Sequence, residues 1–201
     1  MEKCCEYIEE FKETGNWDGD LTAYAAFNGH LDCLRYAHEK GCPWNIRTAS
    51  FAADGGQLGC LKYVHENGCP WHRFTTSHAA ENGHFDCLKY AYENGSPWNE
   101  FTILYAAKYG DLNSLKYAYE NGCPWNERNT LTNLDKHASK IDLDDNWWRI
   151  FLFDKDLTNH TSLQTLVNSK KEEIKQLQIS SEILFSYTSK DVIKYVLWSY
   201  F

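Results

Sequence analysis

This 201-residue chain lacks several things that would point to a function class. It has no window of 18 or more apolar residues, so no membrane-spanning helix is expected. Its first residues, Met1-Glu2-Lys3-Cys4-Cys5-Glu6, are charged and hold no apolar segment of the kind a secretion signal needs, so a cytoplasmic location is expected. It has no basic stripe. The formal net charge is −8 and the pI about 5.5, which argues against nucleic acid and against an anionic membrane surface, since both need clustered Lys and Arg. Glycine-rich phosphate loops, G-x-S-x-G and H-E-x-x-H are all absent. No histidine or carboxylate pair is marked as an acid–base couple, so no catalytic residue is assigned and an enzyme is not expected. Proline is scarce as well, at four residues, and each of the four stands in the same word.

That word is Gly-Cys-Pro-Trp. It occupies Gly41 to Trp44, Gly68 to Trp71 and Gly122 to Trp125, with Gly-Ser-Pro-Trp at Gly95 to Trp98, always at a step of 27 residues. A fixed period of this size marks a stacked repeat architecture. Four repeats are read, 18–44, 45–71, 72–98 and 99–125. A half repeat at 2–17 precedes them, with a polar outer face suited to a cap, and a degenerate one follows at 126–137. Within each unit a short first helix carries an Ala pair (Ala25-Ala26, Ala52-Ala53, Ala79-Ala80, Ala106-Ala107), which lets a neighbour approach closely. Thr48, Thr75 and Thr102 are expected as its N-caps. Gly29, Gly56, Gly83 and Gly110 end it at positive φ. The second helix holds Leu34, Leu61, Leu88 and Leu115, and pairs a basic residue with Glu four positions on. Gly41, Gly68, Gly95 and Gly122 close it, and the following Pro forbids its continuation.

Eight cysteines raise the question of zinc or disulfides. Six of them fall in two repeat columns, 33/60/87 and 42/69/123. Equivalent positions on stacked helices lie roughly 8–10 Å apart, too far for a disulfide, whose Cα atoms lie within about 7 Å. They also do not converge on one ion as a zinc site requires. They are read as small buried hydrophobes, and neither metal nor cofactor is expected.

The words Ala25-Ala26-Phe27-Asn28-Gly29-His30-Leu31-Asp32-Cys33-Leu34-Arg35-Tyr36 and Ala79-Ala80-Glu81-Asn82-Gly83-His84-Phe85-Asp86 resemble the ankyrin repeat, with its Ala pair, Gly-His and Leu-rich second helix. The likeness covers roughly residues 5 to 137. It implies an all-α helix–turn–helix solenoid and a protein-binding, monomeric scaffold. Two departures stand out. The family's Thr-Pro-Leu-His opening is absent, and the period is 27 rather than about 33. The hairpin finger is therefore expected as a tight loop with Pro-Trp at its base, and Trp44, Trp71, Trp98 and Trp125 as buried residues of the repeat junctions. The short Gly-Cys-Pro-Trp form is similar to ankyrin arrays of giant DNA viruses and their protist hosts.

Some columns vary while the framework does not. A repeat protein displays a binding surface in this way. The candidate protein-binding residues on the concave face are Arg47, Arg73, Phe74, Ser77, Glu100, Phe101, Ile103, Leu104 and Lys108, with Phe74, Phe101, Arg73 and Leu104 at the centre. Residues 138–201 read as a mainly helical C-terminal cap, with helices at 163–178 and 189–201 and a dense apolar run at 147–153. The segment from Gln178 to Ile193 also bears a faint resemblance to the opening of an F-box, which would imply a ubiquitin-ligase adaptor as the alternative function.

Overall fold

The computed structural model describes residues 19–142, 148, 151–152, 155 and 157–185. The half repeat 2–17, Cys4-Cys5, Trp147 and the helix expected at 189–201 lie outside the described residues. The described residues form ten α-helices, one 3₁₀ turn and no strand. The chain divides into two units between Leu134 and Asp135.

The first unit is a stack of helix pairs. α1 (Gly19–Phe27) pairs with α2 (Leu31–Glu39), α3 (Thr48–Asp54) with α4 (Leu58–Glu66), α5 (Thr75–Glu81) with α6 (Phe85–Glu93) and α7 (Phe101–Tyr109) with α8 (Leu112–Glu120). α9 (Glu127–Leu134) is a last first-helix. First helices pack on first helices and second helices on second helices down the stack. Residues 19–134 therefore form an all-α, ankyrin-type helix–turn–helix solenoid.

Both helices of a unit end in the same way. After the second helix, the amides of Cys42, Cys69, Ser96 and Cys123 donate to the carbonyls of Ala37, Val64, Ala91 and Ala118, at 2.9–3.0 Å. After the first, His30, Gln57, His84 and Asp111 reach back to Ala25, Ala52, Ala79 and Ala106, at 2.8–2.9 Å. These six-to-one closures need a left-handed residue just past the helix. Glycine supplies it every time, with φ of 84° at Gly41 and 75° at Gly29.

The core follows the columns. Leu34, Leu61, Leu88, Leu115 and the Ala pairs are buried, as are Cys33, Cys42, Cys60, Cys69, Cys87 and Cys123. Burial pushes the thiols of Cys60 and Cys87 up to about 11 and that of Cys123 to about 12. They pack as neutral, weakly polar groups. Among the described residues no group of three or more His, Cys, Asp or Glu could hold a metal ion.

Three local expectations are corrected. Thr48, Thr75 and Thr102 are not N-caps; they are buried helical residues. Thr48 and Thr102 pair hydroxyl to hydroxyl with Thr22 and Thr76 of the preceding repeat, at 3.2 and 3.1 Å. The loop is turned instead by Asn45 and Asn99, whose side chains accept the amides of Arg47 and Phe101 at 2.8 Å. Of the expected basic–Glu pairs, Lys89–Glu93 closes at 4.0 Å. Arg35 and Lys62 lie over the rings of Tyr63 and Tyr90 in the next repeat. The four tryptophans are half-buried rather than buried, because each indole works at the edge of a junction. Nε1–H of Trp44, Trp71 and Trp98 donates to the carbonyl of Asn67, Asn94 and Asn121 of the following repeat, at 2.9, 2.9 and 3.0 Å.

The second unit holds the 3₁₀ turn Asp135–Lys140 packed on α10 (Thr161–Phe185). Asp135 Oδ1 accepts the Leu163 amide at 2.8 Å and so satisfies one of the open N–H groups of that helix. Trp148, Phe151, Leu152, Leu157, Leu163 and Val167 are buried. α10 runs on to Phe185, past the end expected at Gln178.

Candidate functional site

Each first helix is locked by its neighbours on most of its circumference. In α3, for example, Thr48, Ala49, Ser50, Ala52 and Ala53 are all buried. What remains open is a ridge at helical spacing, since positions i, i+4 and i+8 share a face, widened at its far end by Phe27, Asp54, Glu81 and Lys108. Down the stack these ridges make a grid: Asp20, Tyr24 and Asn28; Arg47, Phe51 and Gly55; Phe74, His78 and Asn82; Phe101, Tyr105 and Tyr109. Tyr109 and Phe101 are 44% and 36% exposed.

The grid is dense in rings. Phe101 stacks on Tyr105 at 5.8 Å between centroids, and Tyr105 meets Tyr109 at 6.3 Å. In the preceding repeat Phe74 stacks on His78 at 5.9 Å and meets His72 at 5.3 Å. The Arg73 guanidinium lies 4.6 Å from the Phe74 centroid, a contact worth about 0.5–1 kcal/mol at an exposed site. In the first two repeats Phe27 meets Phe51 edge-on at 6.5 Å.

In the two middle repeats the ends of the grid differ in charge, with Asp20 and Glu100 bounding the loop end in the outer repeats and Lys108 standing beside Glu81 at the far end. At the loop end, burial holds the His72 imidazolium below its usual range, and His78, Arg47 and Arg73 add to the effect. At the far end burial raises the Asp54 carboxyl, Glu81 adds to it, and His78 opposes it. Asp54 Oδ1 accepts from Asn82 at 2.7 Å, and Glu81 Oε1 accepts from the Tyr109 hydroxyl at 3.2 Å. Lys108 donates to that hydroxyl at 3.0 Å, and this bond is the main cause of its raised pKa.

Most of the expected surface residues meet on this side. Arg47, Arg73, Glu100, Phe101 and Lys108 are exposed, and Phe74 and Leu104 are half-buried. Ser77 and Ile103 do not belong there: both are fully buried. Ser77 Oγ donates to the Phe74 carbonyl at 3.1 Å. Ile103 shares its column with Thr22, Ala49 and Thr76, all buried. Variation in that column is exchange of packing partners between repeats rather than display. Sequence reasoning passed over Tyr105, Tyr109 and Phe51 as binding residues. The signal was present, because 101, 105 and 109 stand at i, i+4 and i+8. Gly41, Gly68, Gly95 and Gly122 are not part of the grid; they stand just past the C-terminal ends of the second helices.

No helix among the described residues is long and apolar enough to cross a membrane. No curated protein matches the chain. Residues 77–117, from within α5 to within α8, match the family model described as ankyrin repeats (many copies).

Proposed function

We propose that this chain is a non-catalytic protein-interaction scaffold whose working surface is the first-helix grid around Phe74, Phe101, Tyr105 and Tyr109. The observation that carries the reading is a pair of partly exposed ring runs on adjacent repeats, Phe74 with His78 and Phe101 with Tyr105 and Tyr109, flanked by Arg47 and Arg73. Aromatic and Arg side chains on a rigid support are the usual anchors of protein interfaces. The ankyrin-repeat match over residues 77–117 supports the same function class.

The Gly-Cys-Pro-Trp repeats, similar to those of giant DNA viruses and their protist hosts, favour a monomeric effector acting in host cytoplasm. The adaptor reading of the tail has less support. α10 runs unbroken through Ile179-Ser180, where the F-box-like opening would begin a new helix, and residues 186–201 lie outside the described residues.

The test is affinity capture from a cytosolic extract. Phe101→Ala combined with Tyr105→Ala is expected to abolish capture and to shift the urea midpoint little, since both rings are partly exposed. Lys89→Ala, on the second-helix side, is expected to leave capture intact. Loss of capture with Lys89→Ala and not with the ring pair would move the surface to the other side of the solenoid.

A further inference from the structure

Four positively charged or protonatable groups crowd the loop end of the middle repeats. Arg47 and Arg73 are exposed, and the charges that act on His72 come from His78, Arg47 and Arg73, all of one sign. This happens in a chain of net charge −8. Between the cations lies the Phe74 ring, with Arg73 on it and His78 stacked beside it. The rings of Phe101 and Tyr105 form a second apolar strip at the equivalent positions of the next repeat. Seven residues further along the helices, about 10 Å away at 1.5 Å per residue, Asp54 and Glu81 form an edge of opposite sign.

Resting on the interaction-scaffold reading above, we propose that the surface takes an extended acidic peptide segment of a partner protein. Its carboxylates meet Arg47 and Arg73, and its apolar or aromatic side chains lie on Phe74, Phe101 and Tyr105. Each part of the surface supplies one element of that ligand. The two guanidiniums offer forked donors to carboxylates. The ring strip accepts flat or branched apolar groups. The Asp54–Glu81 edge repels a second row of carboxylates and so sets the side on which the acidic residues lie. It also disfavours a nucleic-acid strand, whose phosphates recur at every nucleotide and would run against that edge.

A phage-displayed library of random dodecapeptides selected on the full-length protein tests this. The expected result is enrichment of sequences that place Asp or Glu within a few residues of Phe, Trp, Tyr or Leu. Arg47→Glu combined with Arg73→Glu is expected to weaken the selected peptide at least about tenfold, and Arg35→Glu, on the second-helix side, to leave it unchanged. Selected peptides without acidic bias, or indifferent to the charge reversal, overturn the proposal. If those peptides are still lost with Phe101→Ala plus Tyr105→Ala, the scaffold reading survives; if they ignore the ring pair as well, it falls too. An empty selection, or displacement of the peptide by an equimolar single-stranded oligonucleotide, also overturns it.

Discussion

The two sides of each repeat share one 27-residue period and use it differently. On the second-helix side the chemistry repeats with the geometry. A ring at position 38, 65 or 92 stacks on the tryptophan six residues later at 4.1–4.5 Å, and the tyrosine of the next repeat meets that tryptophan edge-on at 6.3–6.4 Å. Replacing His38 and His65 by Tyr92 keeps the stack and moves the hydrogen bond. The histidines pair through Nδ1 with the hydroxyls of Tyr63 and Tyr90, whereas the Tyr92 hydroxyl donates to the Asn121 carbonyl. On the first-helix side the closing turn repeats as well, but the helices are nine, seven, seven and nine residues long, and the grid runs from Asp20 to Arg47 to Phe74 to Phe101. Side chains that bind the next repeat are held to a common solution, and side chains that face outward are not.

Four sets of substitutions sharpen or break this contrast. The largest effect is expected from the shared core. Leu88→Ala, at a fully buried position, is expected to cost about 2–5 kcal/mol by urea unfolding, and a loss below about 1 kcal/mol would mean that the column is not the core. The junction ladder comes next. Trp71→Ala is expected to cost about 3 kcal/mol, the lower end for aromatic truncation because the indole is only half-buried. Trp71→Phe keeps the ring and loses the bond to Asn94, and is expected to cost about 1 kcal/mol. Equal losses for the two would assign the energy to the hydrogen bond alone.

Third, the thiols make the array sensitive to alkali. Burial raises the thiols of Cys60, Cys87 and Cys123 to about 11, 11 and 12 in the folded chain, against 9.0 for a thiol in water. The unfolded chain therefore loses these protons first, and stability falls as the pH rises above about 9. Cys60→Ala with Cys87→Ala is expected to flatten that alkaline limb, and an unchanged slope would show that other groups drive it. The smallest effect concerns the two places where Ser interrupts a cysteine column. The hydroxyls of Ser96 and Ser114 are buried without a hydrogen-bond partner. Restoring the column with Ser96→Cys or Ser114→Cys is expected to raise stability by about 1 kcal/mol each; a decrease would mean that the hydroxyls are satisfied by water.

The repeat was legible because its rules are local. Gly41 and Gly29 mark helix ends from the sequence, since only a residue tolerant of positive φ closes the turn. The Leu and Ala columns give the core. What escaped depends on contacts one repeat away. Thr48 looks like a cap until its hydroxyl is found on Thr22, 26 residues earlier. Ile103 looks like a display residue until its helix is packed against the next. Tryptophan burial was overstated because a residue that bonds to a neighbour's helix end must sit at the rim, where that carbonyl is. The ring strip of Phe101, Tyr105 and Tyr109 was missed because columns were compared between repeats, whereas the strip runs along one helix.

The bond from each indole to the next repeat's Asn carbonyl has a consequence for how such an array can change. Trp44 reaches Asn67, 23 residues ahead, and Trp71 and Trp98 span the same interval to Asn94 and Asn121. Every junction is thus written in the same interchangeable terms. Excision of residues 45–71 would bring Trp44 to the Asn94 carbonyl with the spacing intact, and a duplicated unit would find its partner equally well. The donor–acceptor geometry therefore tolerates insertion or loss in steps of 27 and resists other lengths. Unequal recombination between repeats could then lengthen, shorten or reorder the outward grid, including its cationic and aromatic rows, while keeping the indole–carbonyl bond at each splice.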